Sequence, residues 1–188
     1  MPHLVLGVGR IGPRPSHRSA LDVTVLRSPL TNSGQTAHAS GTAWWVYVGK
    51  LLRSCRLDYV RFTVATGGVG TQTAEVAAAY SIGPPNGGSL TLTKIVADGT
   101  VDDLTATGMR QNTSALGQII GYGAHLWLGI RHAMSVTQPT INRLVQDNSV
   151  GYILSTAAAG ALTSGTSWTG SLIGAAQSAP ALHAVLRE

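Results

Sequence analysis

The sequence predicts an all-β protein: an antiparallel β-sandwich, jelly-roll-like, of about eight strands, preceded by an extended N-terminal arm. Three observations predict it. From residue 41 onward, apolar residues recur in short runs with period two, the spacing that sends alternate side chains to opposite faces of a strand. Turn signals rich in Gly, Pro and Asn separate these runs every 8 to 16 residues. A helical period is almost absent, and many short strands joined by turns build sandwiches or barrels.

Residues 1–40 read as the arm. They hold Pro2, Pro13, Pro15 and Pro29, half of the eight prolines, and close on the polar stretch TNSGQTAHAS. Within them only LDVTVL has strand character, with Leu21, Val23 and Val25 on one face. The opening LVLGVGRIG places Gly7, Gly9 and Gly12 in the G-x-G-x-x-G spacing of a dinucleotide-binding turn. That turn must lead into a helix, and Pro13 and Pro15 fall where the helix would begin. The acid that would bind a ribose is also missing, because Asp22 comes too early and the next acid is Asp58. In a chain with 23 glycines the match is a chance one. An arm with no apolar face of its own needs a partner to order it, and such arms commonly dock on a neighbouring subunit.

Residues 41–188 read as the β domain. TAWWVYVGK sets Trp44, Val46 and Val48 on one face and Trp45 and Tyr47 on the other. In RLDYVRFTVAT, Val60, Phe62 and Val64 share a face. TAEVAAAYS alternates Ala74, Val76, Ala78 and Tyr80 with Glu75 and Ser81, and GPPNGG ends it with the strongest turn signal of the chain. SLTLTKIVADG sets Leu90 and Leu92 opposite Thr91 and Thr93. LGQIIG, AHLWLGIRH, GYILSTAA, SLIGAA and ALHAVLRE supply the remaining strands. Helical signals are confined to TVDDLTATG, room for one turn between a Thr100 cap and Gly108, and to QPTINRLVQDN.

The 188 residues suit one domain with an appended arm. Only 11% of them are charged, against roughly a quarter in an average soluble protein, which suits a surface covered by neighbours in an assembly. The net charge of +5 is unevenly placed. Residues 1–61 carry eight basic groups against Asp22 and Asp58, a net of +6; the rest carry five basic and six acidic groups, a net of −1. The basic groups are scattered and lack interleaved aromatics, so the pattern argues against direct binding of nucleic acid. No apolar run is long enough for a membrane helix, and no signal-peptide pattern opens the chain.

Nothing in the residue pattern points to catalysis. Cys55 is the sole cysteine, which excludes an intrachain disulfide and a thiolate metal cluster. His125 and His132 stand seven apart, on opposite faces of one strand and more than about 20 Å apart end to end. The other histidines, His3, His17, His38 and His183, show no ligand spacing, so neither a metal nor a cofactor is expected. Asp102 and Asp103 read as turn or capping residues, and Glu75 as a solvated residue on the polar face of a strand. No G-x-S-x-G elbow marks a nucleophile. NTS at 112–114 is a glycosylation sequon, meaningful only after secretion. The tryptophans Trp44, Trp45, Trp127 and Trp168 are more informative, as a candidate subunit interface or glycan platform. Of the adjacent pair Trp44 and Trp45, one is expected in the core and the other facing solvent or a partner.

The phrases VRFTVATGGVGTQTAEVAAAYS, LTKIVADGTVDDLTATG, GAHLWLGIRHAM, TQPT and LSTAAAGALTSGTSWTGSLI carry a resemblance. From about Val60 to Leu172, roughly 60% of the chain, the sequence resembles β domains of surface proteins of tailed bacteriophages, in tail fibres, head fibres and capsid decoration proteins. The resemblance implies a compact β domain, usually a homotrimer, displayed on a virion by an N-terminal element. A tail-fibre shaft would need a long repetitive segment, and 188 residues hold none. The expectation is therefore a non-enzymatic virion protein, assembled in the host cytoplasm, that decorates or cements the capsid. Its arm, through Arg10, Arg14, Arg18, Leu21, Val23, Val25 and Arg27, would dock on the major capsid protein. The alternative is a tail-fibre-type receptor-binding module that takes a host surface glycan on one of the tryptophans.

Overall fold

The computed structural model describes residues 21–24, 32–37, 40–85, 89–144, 153–156, 161–173 and 179–187. Fourteen strands follow one another without a helix among these residues. They are β1 (Leu21–Thr24), β2 (Asn32–Ala37), β3 (Ala43–Lys50), β4 (Cys55–Thr66), β5 (Gln72–Ser81), β6 (Ser89–Asp98) and β7 (Gly108–Gln111). The second half holds β8 (Gln118–Ile120), β9 (His125–Met134), β10 (Thr140–Leu144), β11 (Ile153–Thr156), β12 (Ser167–Ile173), β13 (Ala179–Pro180) and β14 (His183–Arg187). The strands form two antiparallel layers, the β-sandwich that the period-two pattern predicts.

The first layer is an eight-stranded sheet with the path β1-β14-β4-β10-β13; β2 adds to β10, and β7 and β8 pair with β4. The second curls until its edges meet, as a closed ring β11-β12-β6-β5-β9-β3. Closure removes the exposed strand edges that an open sheet would leave. Two cores result. Val46, Val48, Val76, Ala78, Leu126, Leu128 and Ile130 on the outer wall of the ring pack against Leu57, Val60, Phe62, Val64, Ile141 and Leu186 of the open sheet. Inside the ring, Trp45, Trp127, Trp168, Leu92 and Leu162 pack with Ala43, Ala77 and Ala79.

Strands shared by both cores are buried on both faces, so residues 74–79 of β5 and 126–130 of β9 are buried without interruption. A strand of this kind reads as a continuous apolar run instead of an alternating one. The bore of a six-stranded ring is narrow, and large rings fit only opposite small residues. Ala77 faces Gly129 across the β5–β9 ladder, and a Cβ on Gly129 would stand 2.7 Å from the Trp45 ring.

The central strand β4 switches which residues face the core. Cys55 and Leu57 are buried before Asp58, and Val60, Phe62 and Val64 after it. The register against β14 slips at this point, so Asp58 is the extra residue of a β-bulge. Asn112 clamps the bulge: its Oδ1 accepts the Val60 N–H at 2.8 Å and its Nδ2 donates to the Asp58 carbonyl at 3.2 Å. Leu116 donates its N–H to the same carbonyl at 2.7 Å. Asn112 is fully buried, so the side chain of the NTS sequon is a structural clamp with no room for a glycan.

Several local expectations change. Residues 32–37, within the polar end of the expected arm, form β2 and pair with β10. Residues 140–144, in a segment with a weak helical signal, form β10 between β4 and β2. Residues 100–108 hold turns, not a helical turn, and Asp103 closes one of them by accepting from the N–H and the hydroxyl of Thr105. The strand count exceeds eight in part because β7, β8 and β13 are short pieces whose pairing, not their alternation, makes them strands.

Candidate functional site

Four places could carry function: the ring interior, the carboxylates, the N-terminal strands and the uncovered apolar surface. The ring interior is filled. Trp45 and Trp168 lie with ring centroids 4.6 Å apart, and Trp127 packs on Tyr47 at 5.2 Å. Trp127 donates its indole N–H to the Ser81 hydroxyl at 3.0 Å. Trp45 and Trp127 are fully buried and Trp168 is 3% exposed; these three rings cannot serve as a glycan platform. Trp44 is partly buried against the inter-sheet core. The outward-facing tryptophan expected in the Trp44–Trp45 pair is therefore not found, because β3 has a core on each side where a simple two-sheet sandwich would have one.

At one mouth of the ring the Tyr47 hydroxyl lies 2.7 Å from His125 Nδ1, with the two rings stacked. Partial burial, with some repulsion from Lys50, lowers the His125 pKa below 6.5. At the other mouth stands Glu75. Its Oε2 accepts the Leu162 N–H at 2.7 Å, its Oε1 accepts the Thr163 hydroxyl at 2.7 Å, and Arg131 Nη1 lies 3.4 Å from Oε2. Glu75 is only 6% exposed. The solvated role expected of it is thus replaced by a structural one, because the polar face of β5 lines the ring interior.

Asp58, Asp98 and Asp102 are engaged in the same way. Asp58, almost wholly buried, pairs with Arg56 at 2.8 Å and with Arg187 at 2.6 Å. Asp98 accepts from the Thr100 N–H, and Asp102 accepts the Gln111 N–H at 3.0 Å. His132 is buried beside Gln138, with Nδ1 3.3 Å from the Gln138 side-chain oxygen, and burial lowers its pKa below 6.5. Among the described residues no three His, Cys, Asp or Glu side chains gather as a metal site would require. Cys55 is buried, which raises its thiol pKa.

The residues expected to dock on a capsid divide in two. Arg10, Arg14, Arg18, Val25 and Arg27 lie outside the described residues. Leu21 and Val23 stand in β1, paired with Leu186 and Ala184 of β14. This part of the arm pairs with β14 of the chain's own sheet. No family model, curated protein or solved structure matches this chain.

The uncovered apolar surface was not foreseen from the sequence. Tyr80, Ile82, Ile95, Ile119, Ile120 and Tyr122 line an open groove of about 520 Å³ where β4 begins. Leu52 is exposed nearby, in the turn whose Leu51 exchanges backbone hydrogen bonds with Gly123 and Ala124. The only sequence signal was that Ile119, next to Ile120, breaks the local alternation.

Proposed function

We propose that the protein is a non-enzymatic structural component of a bacteriophage virion, which decorates or cements the capsid surface. The observation that carries the non-enzymatic reading is the use of its carboxylates. Asp58, Glu75, Asp98, Asp102 and Asp103 each hold a turn, a bulge or a loop by named hydrogen bonds. General acid–base work needs a carboxylate within reach of a substrate proton, and these five are spent on the scaffold. The charge-poor composition and the resemblance of residues 60–172 to phage surface domains support the virion role.

In this reading the residues before β1, with Arg10, Arg14 and Arg18, contact the major capsid protein, and the two-layered domain faces outward, associated as a trimer. Binding would bridge capsid subunits and stabilise the shell by mass action. Among the described residues, a carbohydrate-binding role would rest on the exposed Tyr80 and Tyr122 instead of a tryptophan. The test is immunogold electron microscopy of particles from a phage lysate, with antibody raised against residues 41–188. Label over the heads is the expected result; label confined to tail tips, or no labelled particle, overturns it.

A further inference from the structure

Most of the large apolar side chains exposed among the described residues gather at one place. Tyr80, Ile82, Ile119 and Tyr122 line the groove beside β8. Leu52 stands at its rim, because Leu51 exchanges backbone hydrogen bonds with Gly123 and Ala124 of the groove wall. Ile82 is 99% exposed, Leu52 81%, Tyr122 71%, Ile119 70% and Tyr80 39%. With roughly 200 Å² for each such residue when fully exposed, the five present about 700 Å². The largest apolar patch of an ordinary monomer is about 300–600 Å², and a standard protein–protein contact takes about 800 Å² from each partner. The patch is thus close to the size of one whole subunit contact.

The chemistry of the groove says which partner fits. No charged side chain lines it. In a symmetric contact the same groups recur on both sides, so a charged patch that met its own copy would bring like charges together at a cost. A charge-free patch carries no such cost. An unlike partner is usually steered and selected by complementary charges, and the groove offers none. Its shape is also self-complementary. Ser81, Gly121, Gly123 and Ala124 leave a hollow of about 520 Å³, and Ile82 projects beside it. One wall is β8, which among the described residues forms a ladder with β4 alone, and an edge strand of this kind is where a second chain can approach closely.

We infer that this groove is the contact surface between copies of the chain, which pack around a symmetry axis so that Ile82, Ile119 and Tyr122 of neighbouring copies cover one another. The inference rests on the self-association in the proposed function and names the surface that carries it. It does not depend on what the assembled protein is displayed on.

The test is sedimentation equilibrium of the full-length protein and of a full-length Ile82→Asp/Ile119→Asp variant. Both side chains lie at the surface, so the variant should keep the circular dichroism of the wild type. The wild type should sediment as a trimer and the variant as a monomer, its association weakened at least about a hundredfold. The control is Val136→Asp, at a residue 71% exposed beyond the end of β9 remote from the groove, and it should leave the trimer intact. A wild type that is monomeric at every concentration overturns the inference. So does a groove variant that associates as the wild type does, or a Val136→Asp variant that dissociates equally. A wild-type dimer that the groove variant dissolves supports the groove as the contact and overturns the trimer of the proposed function. The immunogold result bears on the capsid role alone.

Discussion

The carboxylate of Glu75 accepts the backbone N–H of Leu162 at 2.7 Å, joining residues 87 apart in the sequence. The bond holds the 161–165 turn across one mouth of the ring, with the Leu162 side chain packed inside on the tryptophans. A buried carboxylate is tolerable only when its lone pairs are filled, and Leu162, Thr163 and Arg131 fill them.

Glu75→Ala should therefore cost about 3 kcal/mol or more, because it leaves the Leu162 N–H without its acceptor and opens a cavity. Glu75→Gln keeps the volume but turns an amide N–H₂ towards at least one of the three donors, and should cost less. Urea denaturation of both variants checks the order; an unchanged midpoint for Glu75→Ala would refute the latch.

Gly129 lies under the Trp45 ring, where an added Cβ would come within 2.7 Å. Gly129→Ala should destabilise by about 1–3 kcal/mol through overpacking. Trp45→Phe in the same chain should recover part of that loss, and a double-mutant cycle of thermal midpoints reads the coupling.

Trp45, Trp127 and Trp168 are sealed inside the ring and Trp44 is partly covered. Native fluorescence should resist quenching by iodide and become fully quenchable on unfolding. Efficient quenching of the native protein would show that the ring opens.

His132 is buried, and burial depresses its pKa below 6.5. The unfolded chain then takes up a proton more readily than the folded one, so stability is fully present above pH 6.5 and declines as pH falls below it, until the folded pKa is passed. His125 is shifted in the same direction and adds to the slope. Thermal midpoints measured between pH 7.5 and 5 should fall, and less so in His132→Leu. A flat profile in the wild type would contradict the burial.

The pairing of β1 with β14 and the ring closed by β11 and β12 mark the boundary between what sequence and fold each decide. Period two in TAWWVYVGK, RLDYVRFTVAT and AHLWLGIRH already specifies strands, because alternation is a property of a single segment in contact with an apolar face. The turn signal in GPPNGG is equally local. By itself the sequence therefore determined an all-β chain in antiparallel layers, and the turn role of Asp103.

What only the tertiary structure decided is how many faces of each strand are buried. Alternation assumes one core, and β3, β5 and β9 have two, so both members of Trp44–Trp45 turn inward and Glu75 becomes a buried acceptor. Likewise β2 and β10 lack a clear strand pattern and become strands because each offers the other an unpaired edge. Ring closure, the bulge at Asp58 and the groove beside β8 arise from contacts between segments distant in sequence. A backbone ladder or a packed interior has no residue-level signature until the partner strand is in place.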